Sequence, residues 1–302
     1  MNGTKRKLIF FVFITTCLIC TGFSIGCYEF KNDPGGRLAP GNWKMTIQFE
    51  GRKRVFYVHV PASYNDTVQV PLVLNFHGFG EDVNSQCSRD GFIDTSDAAG
   101  FILAYVEGYG TAGLQSFNAG AACCSPAVGE GLDDVGLSIA IVDAIKARCR
   151  IDARRVYAHG FSNGGGMAHR LAREAAHVFA AVSAVSMPVL VPDEVPSRPV
   201  PVIHFHGTSD GTINYNGGSL FGNEYISANE SFGNWAAVNG CTGQPVETYA
   251  NGNARFMTYQ TCEAGTRVTL CTVTGGTHVL YGNGSVDIAD QSWEFMSWHT
   301  LP

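Results

Sequence analysis

Apolar positions along the chain follow two periodicities. Between Asp133 and Cys149, the residues Val135, Ile139, Val142, Ile145 and Cys149 recur at steps of three and four, the spacing of one helix face. Asp133 and Asp134 stand at its start, where carboxylates accept from free first-turn amides and suit the helix dipole. Elsewhere the apolar residues come in short runs bounded by Gly, Pro, Asn and Asp, as buried strands do. Val70–Phe76, Phe101–Val106, Arg155–His159, Phe179–Ser186, Val200–Phe205 and Thr266–Val273 read this way. Met45–Glu50 and Arg54–Val60 flank Glu50-Gly51-Arg52 and read as a hairpin. Gly164–Ala175, Glu224–Asn239 and Asp290–His299 read as further helices. Strands alternating with helices predict an α/β fold, a mostly parallel sheet with helices on both faces. No internal repeat or low-complexity tract interrupts the pattern, and the five prolines between Pro188 and Pro201 mark a loop rather than a linker. Residues 45–302 are therefore expected to form a single domain, preceded by an exposed leader over residues 27–44, Gly- and Pro-rich from Lys31 to Asn42.

The N-terminus departs from this pattern. Lys5, Arg6 and Lys7 precede an apolar run from Leu8 to Gly26, with small residues at Ser24 and Gly26. That arrangement predicts a secretory signal over residues 1–26, cleaved after Gly26, and hence an extracellular protein. Two other readings stay open: an uncleaved anchor helix, and lipid anchoring at Cys27. Ten cysteines fit export to an oxidising compartment. Their spacing lacks the paired C-x-x-C of a zinc site. Sequons at Asn65, Asn229 and Asn283 are glycan acceptors in a host that glycosylates. With 20 Lys and Arg against 26 Asp and Glu, and no long run of one sign, the chain has none of the basic footprint of nucleic-acid binding.

The chemistry centres on Gly160-Phe161-Ser162-Asn163-Gly164, a G-x-S-x-G pattern between a predicted strand and a predicted helix. That context is what a nucleophile elbow requires: a sharp turn presents the serine hydroxyl at the carboxyl edge of the sheet, facing the first helical amides. A serine hydroxyl needs a base, and the base needs a carboxylate to hold its tautomer. An elbow places these partners later in the chain, acid before histidine. His169 and His177 are too close to the elbow helix to reach back, and His204 and His206 lie in or at the end of a strand. His278, in a loop between the last strand and the last helix, stands where the base belongs, and Asp210 follows the strand Val200–Phe205. Catalytic residues are thus expected at Ser162, Asp210 and His278. The amides of Asn163 and Phe79, the latter in the loop His77-Gly78-Phe79-Gly80, are expected to form an oxyanion hole.

The run "DDVGLSIAIVDAIKARCRIDARRVYAHGFSNGGGMAHRLA", with "LNFHG", "FNAGAACC", "HGTSD" and "GGTH", resembles a group of secreted esterases. That group contains polyhydroxybutyrate depolymerase-like proteins and feruloyl or acetylxylan esterases, and the resemblance runs from about Phe56 to the C-terminus. It implies an α/β-hydrolase fold with Ser162, Asp210 and His278 as the triad. It implies a disulfide between Cys241 and Cys262 and a second one using Cys123 or Cys124, with Cys87 and Cys149 as candidate partners. The activity it implies is serine ester hydrolysis without cofactor or metal, on feruloylated plant cell-wall polysaccharide, or alternatively on a polyester. A non-catalytic secreted binding protein on a hydrolase scaffold is the rival from another class, and the presence of all three triad residue types counts against it. Departures occur where Val279, Leu280 and Tyr281 follow His278 in place of a Gly-His-x-Trp-Pro run, and where Phe117 replaces a Trp before Asn118. Both positions are expected to border the acyl pocket. Cys271, in the late strand, is expected to be a buried free thiol.

Overall fold

The computed structural model describes residues 28–191, 193–280, 282 and 284–302. The expected signal, the anchor reading, lipidation at Cys27, and the positions Tyr281 and Asn283 lie outside the described residues. Among the described residues, no helix is long and apolar enough to cross a membrane.

In chain order the elements are β1 (Lys31–Asn32), β2 (Gly41–Phe49), β3 (Arg52–Val60), β4 (Val70–Phe76), α1 (Val83–Cys87), α2 (Phe92–Ala99) and β5 (Ile102–Val106). Next come α3 (Asp134–Lys146), β6 (Ile151–Phe161), α4 (Asn163–Glu174), β7 (Ala181–Val185), β8 (Val202–Gly207), β9 (Gly218–Leu220) and β10 (Asn223–Tyr225). The chain ends with α5 (Ala228–Val238), β11 (Val246–Asn251), β12 (Ala254–Tyr259), β13 (Val268–Val273) and α6 (Ile288–Ser297). An eleven-stranded sheet runs in the order β1-β2-β3-β5-β4-β6-β7-β8-β13-β12-β11. Its centre, from β5 through β13, is parallel; the hairpins β2–β3 and β11–β12 flank it in antiparallel pairing. The expected α/β-hydrolase layering is present. Helices α3, α4 and α5 pack on one face over Leu74, Ile141, Leu171 and Trp235, and α1, α2 and α6 pack on the other over Phe92, Phe101, Tyr157 and Met296. The central strands are buried on both faces, which is why they read as continuous apolar runs.

Three readings change. The leader is not uniformly exposed: Lys31–Asn32 pairs with β2, β2 begins at Gly41, and Leu38 is buried. Asp33 accepts from Arg148 just past α3, so a polar stretch is held by an ion pair and one apolar anchor. Glu224–Asn239 is not one helix. Asn223–Tyr225 forms a strand, and α5 starts after Ser227, which exchanges side-chain bonds with Glu230 in a capping box. The sequence Ser-Ala-Asn-Glu carried that signal. Finally, α1, α2, β11 and β12 are additional elements. Helices of 5 and 8 residues are too short to show a period, and β11 is exposed along most of its length, so it has no buried face to alternate with.

Candidate active site

Strand β6 delivers Ser162 into a turn with φ 53° and ψ −119°, and α4 begins at the next residue. A positive φ at a residue other than glycine costs roughly 1–3 kcal/mol and persists only where its surroundings impose it. Here Ser162 donates its amide to Val185 O at 2.8 Å and accepts from the Gly166 amide at 3.0 Å. Strand and helix approach so closely that a Cβ on Gly160 would collide with the carbonyl of Gly164, and one on Gly164 with that of Phe76. The glycines of the motif are thus packing requirements, and Ser162 stands at the edge they create.

Ser162, His278 and Asp210 form one hydrogen-bonded chain. His278 Nε2 lies 2.9 Å from Ser162 Oγ, and His278 Nδ1 lies 2.7 Å from Asp210 Oδ2. An ionised carboxylate accepts only, so Nδ1 carries the proton and Nε2 is left to accept from the serine. The Asp210 Oδ1 atom accepts from the amides of Thr212 at 2.9 Å and Ile213 at 2.8 Å. Burial alone would raise this carboxyl, but hydrogen bonds from His206 and His278 and from the Ile213 amide outweigh it and hold Asp210 below the usual carboxylate range.

His206, set aside as a base because it ends a strand, belongs to this arrangement in another way. It is fully buried, with Nε2 2.8 Å from Ile213 O and 3.5 Å from Asp210 Oδ2. Donation to the carbonyl fixes the proton on Nε2, so Nδ1 accepts from His204 Nε2 at 3.2 Å. Burial, then the neighbouring His206 and His169, keep His204 well below the ordinary histidine range and hence neutral. A second-histidine brace behind the acid is legible only as "HGTSD", where strand alternation puts His204 and His206 on one face.

At the expected oxyanion hole, Asn163 is the first residue of α4, so its amide has no intrahelical acceptor. The amides flanking Phe79 are engaged, Gly78 by Glu81 Oε2 at 3.2 Å and Gly80 by Gln115 O at 2.8 Å. Among the described residues the Phe79 amide has no acceptor. The Asn163 side chain has a separate task. Its Oδ1 accepts from the Phe117 amide at 2.7 Å and its Nδ2 donates to Phe117 O at 3.0 Å, tying the elbow to the 117–124 loop. Phe117 is fully buried against Phe76 and His77 and belongs to the hydrophobic core.

A cavity of about 420 Å³ opens beside Phe79, walled by Ala122, Cys123, Cys124, Val128 and Phe221. Phe221 sits at the tip of the β9–β10 hairpin, two-thirds exposed, with its ring edge-on to Phe79 at 6.0 Å. The disulfide map differs from expectation in one respect. Cys241 pairs with Cys262, but Cys123 and Cys124 pair with each other. Cys87 is disulfide-bonded and is not their partner, and Cys149 is a buried free thiol whose pKa burial pushes up to about 11. Cys271 is buried and free.

Comparison with known proteins places the chain. Residues 56–198 match the sequence model of the family described as Esterase PHB depolymerase. Feruloyl esterase B of Piromyces equi is 32% identical over 262 residues, covering 82% of this chain and 46% of that protein. A bifunctional acetylxylan esterase/xylanase of Neocallimastix patriciarum is 30% identical over 81% of this chain and 33% of that protein. The chain therefore spans less than half the length of these two relatives. The acetyl xylan esterase from Aspergillus awamori superimposes with a TM-score of 0.60 over 85% of this chain and 99% of that one, a likeness of fold at 15% identity. By fold the chain is an α/β-hydrolase, and by these matches its sequence is similar to the polyhydroxybutyrate depolymerase-like and feruloyl esterase family.

Proposed function

We propose that the protein is a secreted serine carboxylic-ester hydrolase acting on plant cell-wall polysaccharide esters, feruloylated xylan above all. The observation that carries this reading is the unbroken chain Asp210–His278–Ser162, at 2.7 and 2.9 Å, beside two unengaged amides. Ser162 Oγ attacks the ester carbonyl while His278 Nε2 takes its proton, and the new oxyanion accepts from the amides of Phe79 and Asn163. His278 then gives the proton to the departing alcohol oxygen, leaving an acyl-serine. Water adds to that acyl group, again through His278, releasing the acid and restoring Ser162. Asp210 stays ionised throughout and holds the tautomer. No step calls for a metal or cofactor.

The apolar cavity beside Phe79 supports an aromatic acyl group, since aromatic rings prefer edge and offset contacts of the kind Phe79 and Phe221 already make. The disulfides and the basic-then-apolar N-terminus support export. Polyester hydrolysis is the second reading, favoured by the family match over residues 56–198. Parallel hydrolysis assays with methyl ferulate and with hydroxybutyrate oligomers decide between them, and faster turnover of the oligomers reverses the substrate assignment. With p-nitrophenyl acetate, Ser162→Ala is expected to abolish turnover above background. An equal rate in parent and variant would sink the esterase reading and leave a binding protein on this scaffold.

A further inference from the structure

On the β11–β12–β13 side of the sheet, under α6, lies a second cavity of about 370 Å³. It lies toward the starting ends of β8 and β13, where Ile203 pairs with Thr269, whereas Asp210 and His278 follow the finishing ends of the same strands. Its lining sets the apolar side chains of Ile203, Tyr249, Phe256 and Phe295 beside a row of hydroxyls across three neighbouring strands. Thr248 Oγ1 is 2.8 Å from Thr258 Oγ1, which is 2.9 Å from Thr269 Oγ1. Thr248 is the extra residue of the bulge between Glu247 and Tyr249, and that bulge lets it join the row. Each hydroxyl offers one proton and two lone pairs, so a row bonded only to itself keeps spare acceptor capacity.

The rim carries Gln260 and Arg267 on the strand side and Glu294 and Trp298 on the α6 side. Trp298, the residue after α6, is 74% exposed. So large a ring left in water, beside hydroxyls and planar amide and guanidinium groups, pairs a flat apolar surface with dense hydrogen-bonding. That pairing fits a sugar ring, which has apolar C–H faces and an equatorial belt of hydroxyls. Arg267 and Glu294 bring one charge of each sign, so the rim selects neither a polyanion nor a polycation. A protein partner would seek a contiguous apolar patch, whereas here the threonine row, Gln260, Gln291 and the two charged groups interrupt the apolar lining.

We propose that this groove binds a neutral polysaccharide chain and holds the polymer while esters are cleaved at the far end of the sheet. The choice of xylan as the polymer rests on the function proposed above; the binding does not. The test is affinity electrophoresis of the full chain carrying Ser162→Ala in gels containing soluble, de-esterified arabinoxylan, so that no turnover enters the readout. Retardation is expected, weakened roughly tenfold by Trp298→Ala and also weakened by Thr258→Val, which keeps the side-chain shape. Thermal unfolding of each variant checks that it is folded. No retardation of the parent, or equal retardation of parent and Trp298→Ala, overturns the proposal. So does sedimentation showing self-association abolished by Trp298→Ala with no retardation in the gel. Because the polymer carries no ester, failure on methyl ferulate leaves this result standing, and failure here leaves the esterase reading standing.

Discussion

Two buried aspartates, Asp90 and Asp210, show how surroundings set what a carboxylate does. Asp90 accepts from Asn75 Nδ2 at 2.8 Å, from the Tyr105 hydroxyl at 2.9 Å and from the Phe92 amide at 3.1 Å. These neutral donors bind β4, β5 and the start of α2 together, yet burial still pushes Asp90 up to about 7. Asp210 is as deeply buried but faces two imidazoles as well as two amides, and it is held below the ordinary range. The difference lies in the partners. At Asp90 the neutral donors leave much of the cost of burying a full charge uncompensated, whereas at Asp210 the hydrogen bonds from two imidazoles and the Ile213 amide together outweigh it. Asp90 is a structural knot and Asp210 is an ionised support for a base.

The largest expected effect separates them by activity. Asp210→Asn should lower kcat for ester hydrolysis by roughly 10⁴, because an amide stabilises the wrong tautomer of His278. Asp90→Asn should leave kcat unchanged. Steady-state kinetics on methyl ferulate would break the comparison if both variants lost activity equally.

Next comes stability against pH, where the two have opposite signs. Asp90 has its folded pKa above the unfolded value of ~3.9, so its contribution is complete below that pH and is lost as pH rises through about 7. Three pKa units set an upper bound of about 4 kcal/mol. Denaturant unfolding of parent and Asp90→Asn should therefore show the variant gaining on the parent between pH 4 and pH 7. Asp210, with its folded value depressed, contributes stability above ~3.9 that is lost as pH falls below it. The deficit of Asp210→Asn should shrink in acid.

The smallest effect tests the histidine brace. His206→Phe removes the donor to Ile213 O and Asp210, and should lower kcat about tenfold, the worth of one hydrogen bond, with KM unchanged. His206→Gln, whose Nε2 reaches the same place, should recover most of it. Equal loss in both variants would mean that His206 acts by packing alone.

How much was legible beforehand follows from how each feature is encoded. Parallel strands joined through helices put their carboxyl ends on one edge, so chain order alone led to Ser162, Asp210 and His278. The two faces of the sheet were likewise readable, because burial on both faces writes continuous apolar runs. Asp90, by contrast, sits in Ser88-Arg89-Asp90-Gly91, which reads as a turn. Only packing of α1 and α2 against β4 and β5 encloses it. The place of Phe117 in the core was no more legible, because the Asn163 side chain draws its backbone inward.

What the sequence determined by itself was therefore the local and the ordered: strand and helix types, the elbow turn, and which residue types follow which strands. Tertiary structure alone decided the rest: that Cys123 pairs with Cys124, that His206 stands behind Asp210, and that threonines from three strands meet beneath Trp298. The physical reason is range. Propensity and periodicity act over a few residues and are written in neighbours. A hydrogen bond or cavity wall joins side chains far apart in the chain, and no pattern along the sequence records which of them the closed sheet will bring together.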